Sequence, residues 1–121
     1  MLKKEEIILS DKVNTIIGKN TTFNGTINGK DVVRIDGKIE GNISNQNDVI
    51  ITESGHASAE IRAKNIRIAG RFEGTIEASG KLEIKRTGVV IGTFIANTLL
   101  VEDGAILSGS LSMKDMEKSG S

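Results

Sequence analysis

The stretch VRIDGKIEGNI, residues 33–43, places an apolar residue or a glycine at every second position. The residues between them are polar and carry charges of both signs. A period of two is that of a β-strand with one buried face and one wet face, and helical spacing does not fit this stretch. Residues 66–76 repeat the same pattern, so we predict that strands dominate the fold.

A shorter phrase inside this stretch recurs six times: glycine, any residue, then a large apolar residue, with alanine replacing the glycine once. The six copies are residues 25–27, 41–43, 59–61, 74–76, 92–94 and 109–111. They follow one another at intervals of 15 to 18 residues. A unit this small cannot bury an apolar face without a neighbour on each side, so the pattern predicts units stacked on one another.

The units run in the same direction, and few hairpin turn pairs are flanked by strands of equal length, which favours a parallel β-solenoid over a hairpin sheet. We predict an all-β fold, a single β-helix of about six short turns with three strands each. Turns spaced about 4.8 Å apart give a rod roughly 29 Å long. The third, fifth and sixth units carry about two extra residues before the glycine phrase, which predicts wider corners there.

Two sets of glycines have different expected roles. One set lies where the chain turns a corner, and we expect positive φ angles there, which other residues adopt only at a cost. These are Gly37, Gly55, Gly70, Gly88 and Gly104. The other set occupies inward positions, where we expect the missing side chain to leave room in a narrow core. These are Gly25, Gly41, Gly74, Gly92 and Gly109.

The composition limits the function classes. One domain is expected from 121 residues, and an aromatic content of only 2% suits a thin rod filled by Ile, Val and Leu. The chain has no cysteine, no proline and a formal net charge of zero, so we expect no metal, no cofactor and no nucleic-acid partner. No apolar run is long enough for a signal peptide or a membrane span, which predicts a cytoplasmic protein.

Motifs for catalysis are weak. Residues 74–82 are similar to a phosphate-binding loop, but Leu82 stands where a Ser or Thr is needed to bind magnesium. His56 is the one histidine and has no fixed carboxylate or serine partner in the pattern. We therefore predict no catalytic residue and no enzyme activity. The alternative is a β-solenoid enzyme, such as an acyltransferase built on hexapeptide repeats, which needs strict six-residue spacing.

Three segments together resemble the bactofilins, polymer-forming cytoskeletal proteins of bacteria. They are TIIG at residues 15–18, VRIDGKIEGNI at residues 33–43 and AILSGSLSM at residues 105–113. The resemblance implies a right-handed β-helix over residues 15–113 between flexible tails, residues 1–14 and 114–121. It also implies a non-enzymatic scaffold that assembles end to end into filaments without nucleotide. Such scaffolds serve cell shape, cell-wall, chromosome or motility functions, often at the inner membrane.

Polymerisation has a second argument, because an uncovered solenoid end exposes both apolar core and unpaired strand groups. The chain has no sequence for a capping helix, so we predict that like subunits cover the ends. The predicted interface is Ile16, Ile17, Phe23, Leu99, Val101, Ile106, Leu107 and Leu111. Bactofilins often carry phenylalanine in the last turn, where this chain has Ile106 and Leu107. The main expected partner is the chain itself, and a bactofilin paralogue or a cell-envelope protein are further candidates.

Two other contact surfaces are predicted. The candidate membrane contact is Met1, Leu2, Lys3 and Lys4, although the two glutamates that follow weaken attraction to an anionic leaflet. The candidate lateral patch, for another filament or a docked partner, consists of outward apolar residues in the last two turns. Its members are Val89, Ile91, Ile95, Leu100 and Ile106. The alternative is a scatter of exposed aliphatic side chains, which is normal on protein surfaces.

Overall fold

The computed structural model describes residues 15–113. All secondary-structure elements in this range are β-strands. The strands are β1 Thr15–Ile17, β2 Thr22–Gly29, β3 Val33–Ile35, β4 Lys38–Asn45, β5 Asp48–Ile51, β6 His56–Ala63, β7 Asn65–Ile68, β8 Arg71–Ile84, β9 Val89–Val101 and β10 Ile106–Met113. All pairings are parallel, and the strands form a β-solenoid of about six turns. This confirms the predicted fold class. The tails predicted at residues 1–14 and 114–121 lie outside the described residues.

Each turn consists of a short strand followed by an eight-residue strand. The first three turns use separate strands for the two parts, whereas β8 and β9 each join the long strand of one turn to the short strand of the next. The glycine phrases align in one column across all six turns: Gly25, Gly41, Ala59, Gly74, Gly92 and Gly109. Three strands were predicted for each turn. The second and third of these form one continuous long strand with the column glycine in its middle.

The wall divides into three strand faces, which we name from the glycine column. The short-strand face consists of the short strands. The pre-glycine face consists of the long-strand residues before the column, for example residues 38–40. The post-glycine face consists of the long-strand residues after it, for example residues 42–45.

The core is built from inward side chains stacked turn upon turn. One column runs from Ile39 through Ala57 and Phe72 to Val90, and all four are buried. Phe72 lies between the smaller Ala57 and Val90, so a large side chain uses the room that its neighbours leave. The other inward columns are filled mainly by Ile, Val, Leu and Ala, in agreement with the predicted aliphatic core.

The prediction of positive φ for the corner glycines is wrong at four of its five positions, and the room left by the column glycines is taken up by the backbone of the preceding turn. The column glycines have φ between 130° and 144°, whereas in the predicted corner set only Gly104 has positive φ, at 97°. A Cβ added to Gly92 would overlap the carbonyl oxygen of Gly74 in the preceding turn, so the column glycines allow close stacking along the axis. A Cβ on the corner residue Gly70 would likewise overlap the carbonyl oxygen of Gly55. Close approach of successive corners therefore explains Gly37, Gly55, Gly70 and Gly88, whereas Gly104 is required by its positive φ.

The wider corners are present where the sequence predicted them. Each is closed by a backbone hydrogen bond, in which Gly55 N–H donates to Thr52 O over 2.8 Å and Gly88 N–H donates to Lys85 O over 2.8 Å. In the sixth turn Ala105 N–H donates to Glu102 O over 3.1 Å. The first turn has a corner of the same kind, in which Thr21 N–H donates to Gly18 O over 3.0 Å.

One inward position among the described residues holds a buried polar side chain, Asn45. Its Nδ2 donates to the carbonyl oxygens of Asp31 at 2.7 Å and Asp48 at 3.1 Å. Its Oδ1 is buried and accepts no hydrogen bond from the described residues. The equivalent position is Ala63, Ala78 or Ala96 in later turns. At this one corner, Asn45 therefore links the backbone at Asp31 to the backbone at Asp48 by hydrogen bonds.

Candidate assembly surfaces

The last turn leaves its inward side chains open on one side. The column of Ile35, Ile51, Ile68 and Ile84 is fully buried, but its next member, Val101, is 41% exposed. Leu111 is also 41% exposed, although its neighbour Phe94 in the same column is 1% exposed. These positions are exposed because no described residue stacks beyond them. The last turn therefore presents a cross-section of the core as a surface.

The first turn is the opposite end of the described solenoid. Ile17 is buried, while Phe23 and Ile27 are partly buried and pack against the core. Gly25 differs from the later column glycines, because a Cβ there would meet only its own neighbour Phe23, at 3.5 Å. The space above Gly25 is therefore open among the described residues, as expected for an end.

The end strands lack the features that usually protect exposed strand edges, which are charged side chains, proline and bulges. The strands β1, β2 and β10, and residues 98–101 of β9, contain no charged residue and no proline. The middle turns do carry charges at the equivalent outward positions, for example Arg34, Lys38 and Glu40 in the second turn. Both ends can therefore approach another strand without placing like charges against each other.

The predicted interface residues divide between these two ends. Ile16, Ile17 and Phe23 lie in the first turn, and Leu99, Val101, Ile106, Leu107 and Leu111 lie in the last. Leu107 points inward above Val90 and is partly buried, whereas Ile16 and Ile106 point outward and are 59% and 55% exposed. Six of the eight residues thus belong to the inward columns, and the two outward residues flank the ends.

The predicted lateral patch is spread over all three faces. Val89, Ile91 and Ile106 lie together on the pre-glycine face, where Val89 pairs with Ile106 in register. Ile95 lies on the post-glycine face and Leu100 on the short-strand face. Only the first three residues form one continuous surface, which we call the pre-glycine apolar patch.

Comparison with known proteins matches this solenoid to a family. The family profile of bactofilins, described as polymer-forming cytoskeletal, matches residues 15–112, which is nearly all of the described chain. The chain belongs to the bactofilin family. The resemblance inferred from the glycine phrases is thereby confirmed.

Three bactofilins of Myxococcus xanthus strain DK1622 are similar to this chain. BacO is 36% identical over 105 residues, which cover 87% of this chain and 83% of BacO. BacN is 36% identical over 98 residues, covering 81% of this chain and 87% of BacN. BacP is 29% identical over 118 residues, covering 97% of this chain but 49% of BacP, so this bactofilin spans about half of BacP's length. No solved structure matches the chain.

The corners of this bactofilin are linked by ion pairs that run from turn to turn. Lys85 Nζ lies 3.1 Å from a carboxylate oxygen of Glu83 and 3.0 Å from one of Glu102, which joins the fifth turn to the sixth. Arg67 also contacts Glu83, at 3.3 Å. The hydrogen bonds from Lys85 lower the pKa of both Glu83 and Glu102, and the same contacts raise the pKa of Lys85.

A second linked corner joins the second and third turns. Thr52 Oγ1 donates to a carboxylate oxygen of Asp36 over 2.6 Å, and Arg34 lies 3.0 Å from that carboxylate. The hydrogen bond from Thr52 is the main cause that lowers the pKa of Asp36, with Arg34 adding to it. These contacts stabilise the stacking of the third turn on the second.

Residues 15–113 show neither a metal site nor a membrane-spanning helix. No group of three or more histidine, cysteine, aspartate and glutamate side chains there could hold a metal ion. Among the same residues, no helix has the length and apolar character needed to cross a bilayer. His56 lies on the pre-glycine face between Lys38 and Arg71 of the adjacent turns. The predicted membrane contact, Met1, Leu2, Lys3 and Lys4, lies outside the described residues.

Proposed function

We propose that this bactofilin is a non-enzymatic scaffold of the cytoplasm whose subunits stack end to end into filaments. The observation that carries the proposal is the open core of the last turn, where Val101 and Leu111 are exposed in columns that are otherwise buried. Complete burial of a Val or Leu side chain is worth about 1.5–3 kcal/mol. Covering several half-open aliphatic residues at once therefore favours association by a few kcal/mol before ordering costs are subtracted.

Assembly is proposed to need no nucleotide. Residues 74–82, which are similar to a phosphate-binding loop in sequence, lie inside the continuous strand β8, whereas such a loop connects a strand to a helix. The solenoid turns also vary in length, unlike the strict six-residue spacing of hexapeptide acyltransferases. These features support a scaffold over a nucleotide-driven polymer or a solenoid enzyme.

The test is assembly of the full chain in chelator without ATP or GTP, followed by sedimentation and electron microscopy. We expect filaments from the wild type and none from Leu107→Arg. Placing an unpaired charge in a dry contact costs several kcal/mol, and each 1.4 kcal/mol weakens association about tenfold. The matched control is Ser110→Arg in the same strand, whose side chain is exposed on the post-glycine face and should leave filaments intact.

Circular dichroism separates loss of assembly from loss of folding. Leu107→Arg should keep the β signal because its turn has a neighbour on one side only, while Ile68→Arg in the buried fourth turn should lose it. Folded Leu107→Arg that still pellets as filaments would show that the last turn is not the contact. A requirement of the wild type for nucleotide would contradict the second part of the proposal.

The cellular role is proposed at the level of the family. Filaments of this chain would organise cell-shape, cell-wall or motility machinery at the inner face of the cell membrane. A bactofilin paralogue is a natural co-assembly partner, because uncharged end strands with aliphatic core residues place few chemical demands on the turn that stacks on them. A cell-envelope protein is the other proposed partner class.

A further inference from the structure

The pre-glycine face carries two columns of opposite charge. Lys38, His56 and Arg71 are aligned in register over the second, third and fourth turns. Two residues further along the same strands, Glu40, Ser58 and Glu73 form a second column. The side chains of Arg71 and Glu73 are 49% and 45% exposed and contact each other at 3.2 Å. The face thus has a basic side and an acidic side.

The pre-glycine apolar patch continues both columns toward the last turn. Val89 follows Arg71 in the basic column, and Ile91 follows Glu73 in the acidic column. Ile106 then follows Val89 at the end of the solenoid. One face therefore combines charge separated across its width with apolar residues at one end of its length.

We propose that this face pairs laterally with the same face of a second copy, with the two rods parallel and in register. A two-fold axis parallel to the rods exchanges the left and right columns of the facing copy. Lys38 then faces Glu40 of the second copy, and Arg71 faces its Glu73. Val89 faces Ile91 at the same height, so opposite charges and apolar residues match simultaneously.

The antiparallel arrangement fails the same test. A two-fold axis perpendicular to the rods keeps each column on its own side, so basic residues would face basic residues and acidic residues would face acidic ones. Like charges in direct opposition are destabilising and discriminate against a wrong partner orientation. The charge pattern therefore selects the relative direction of the two rods as well as the face.

The size of the face decides when this pairing occurs. The face is about three residues wide and about six turns long, which gives an area of roughly 300 Å² per subunit. Pairing would therefore bury about 600 Å² in total. Stable complexes usually bury at least about 1,200 Å², so two isolated subunits should not stay paired. Filaments repeat the contact many times, and the linked contacts reinforce one another. The inference therefore rests on the proposed end-to-end filament and predicts paired filaments from weakly interacting subunits.

The experiment measures filament width by electron microscopy at low and high salt. Wild-type filaments should be two rods wide at about 50 mM salt and separate into single rods at about 500 mM, because exposed charges are screened over a few ångström at high ionic strength. The first variant, Glu40→Lys with Glu73→Lys, makes the whole face basic and should give single rods at both salt concentrations. The second variant, Lys38→Glu with Arg71→Glu, makes the face acidic and should also give single rods at both salt concentrations.

A matched control changes the net charge equally at other places. Asp31→Lys with Glu60→Lys alters an exposed corner and the post-glycine face, and these filaments should pair as the wild type does. Basic-face and acidic-face filaments, formed separately and then mixed at low salt, should restore paired rods. Ile91→Lys should also separate the rods, since it places a charge in the apolar patch.

The outcomes distinguish this inference from the proposed function. Wild-type filaments that are single rods at low salt would overturn lateral pairing and leave end-to-end assembly standing. Paired rods that persist in the basic-face variant would also overturn it. Complete absence of wild-type filaments would overturn both proposals. Recovery of paired rods only in the mixture of the two variants would support lateral pairing through opposite charges on this face.

Discussion

At the scale of single residues, the glycine column shows that the same residue type can be required for different reasons at neighbouring positions. Gly74 has φ of 136° and lies against the carbonyl oxygen of Ala59 in the preceding turn. Ala59 occupies the same column but has no positive φ, so the third turn accommodates a methyl group there. The column thus tolerates a Cβ only where the backbone changes its conformation.

We predict that Gly74→Ala destabilises the solenoid by at least about 2 kcal/mol, since a left-handed backbone costs a non-glycine residue about 1–2 kcal/mol and the methyl group must also displace backbone. The matched change Ala59→Gly should cost only about 0.5–1 kcal/mol, mainly through unfolded-chain entropy. Urea unfolding of the two variants checks this. Equal losses of stability in both variants would show that the column glycines are not sterically required.

At the scale of strands and corners, the linked carboxylates make stacking dependent on pH. The pKa of Glu102 is lower in the folded chain than its ordinary value, chiefly because Lys85 donates to it. A carboxyl group with a lowered pKa stabilises the fold at pH values above its unfolded pKa, and this contribution is lost as the pH falls through the lowered value. The contact between the fifth and sixth turns should therefore weaken in acid.

The corresponding prediction compares the wild type with Glu102→Gln in urea at about pH 6 and about pH 3, on either side of ordinary carboxyl pKa values. The wild type should be more stable than the variant at the higher pH. The difference should shrink at the lower pH, because this contribution is lost as the pH falls from the unfolded pKa of Glu102 through its lowered folded pKa. A difference that stays constant over this range would indicate that the Lys85 contact does not contribute to stability.

The sequence predicted the strands and their inward-facing residues better than it predicted the backbone φ angles. Period-two alternation identifies which side chains point inward, so the columns around Ile39 and Phe72 followed directly from it. Alternation carries no information on φ, which is why positive φ was assigned to the wrong glycines. It also cannot divide outward residues among faces, because corner geometry decides that Leu100 and Ile91 lie on different sides. Asn45 was missed since a polar residue at an inward position breaks the pattern used to find the core.

At the scale of the whole molecule, the two ends and the side wall have separate chemistry. The strands of the two end turns are uncharged and partly apolar, whereas the described charges lie on the strands of the inner turns and at the corners, including those of the first and last turns. The uncapped pattern predicts end contacts, but no single chain contains the residues of its neighbour. The orientation of stacked subunits therefore did not follow from the sequence.

A further prediction concerns the tail, residues 1–14, which lies outside the repeated core. Removing Met1, Leu2, Lys3 and Lys4 should abolish co-sedimentation with anionic liposomes and leave filaments intact. A short apolar and basic segment binds a membrane only marginally, and a filament strengthens such binding by presenting many copies. Sedimentation with and without liposomes measures both effects. Loss of filaments on this truncation would assign the tail to the assembly contact.

Because the turns stack evenly, the number of turns sets the length of the subunit. Each turn adds about 4.8 Å, so the length of a subunit changes only in whole steps of that size. A bactofilin with one turn more or fewer could keep the same two end surfaces while spacing its wall residues differently along the rod. The number of glycine phrases would then set the distance between successive cargo positions on a filament, independently of what the cargo is.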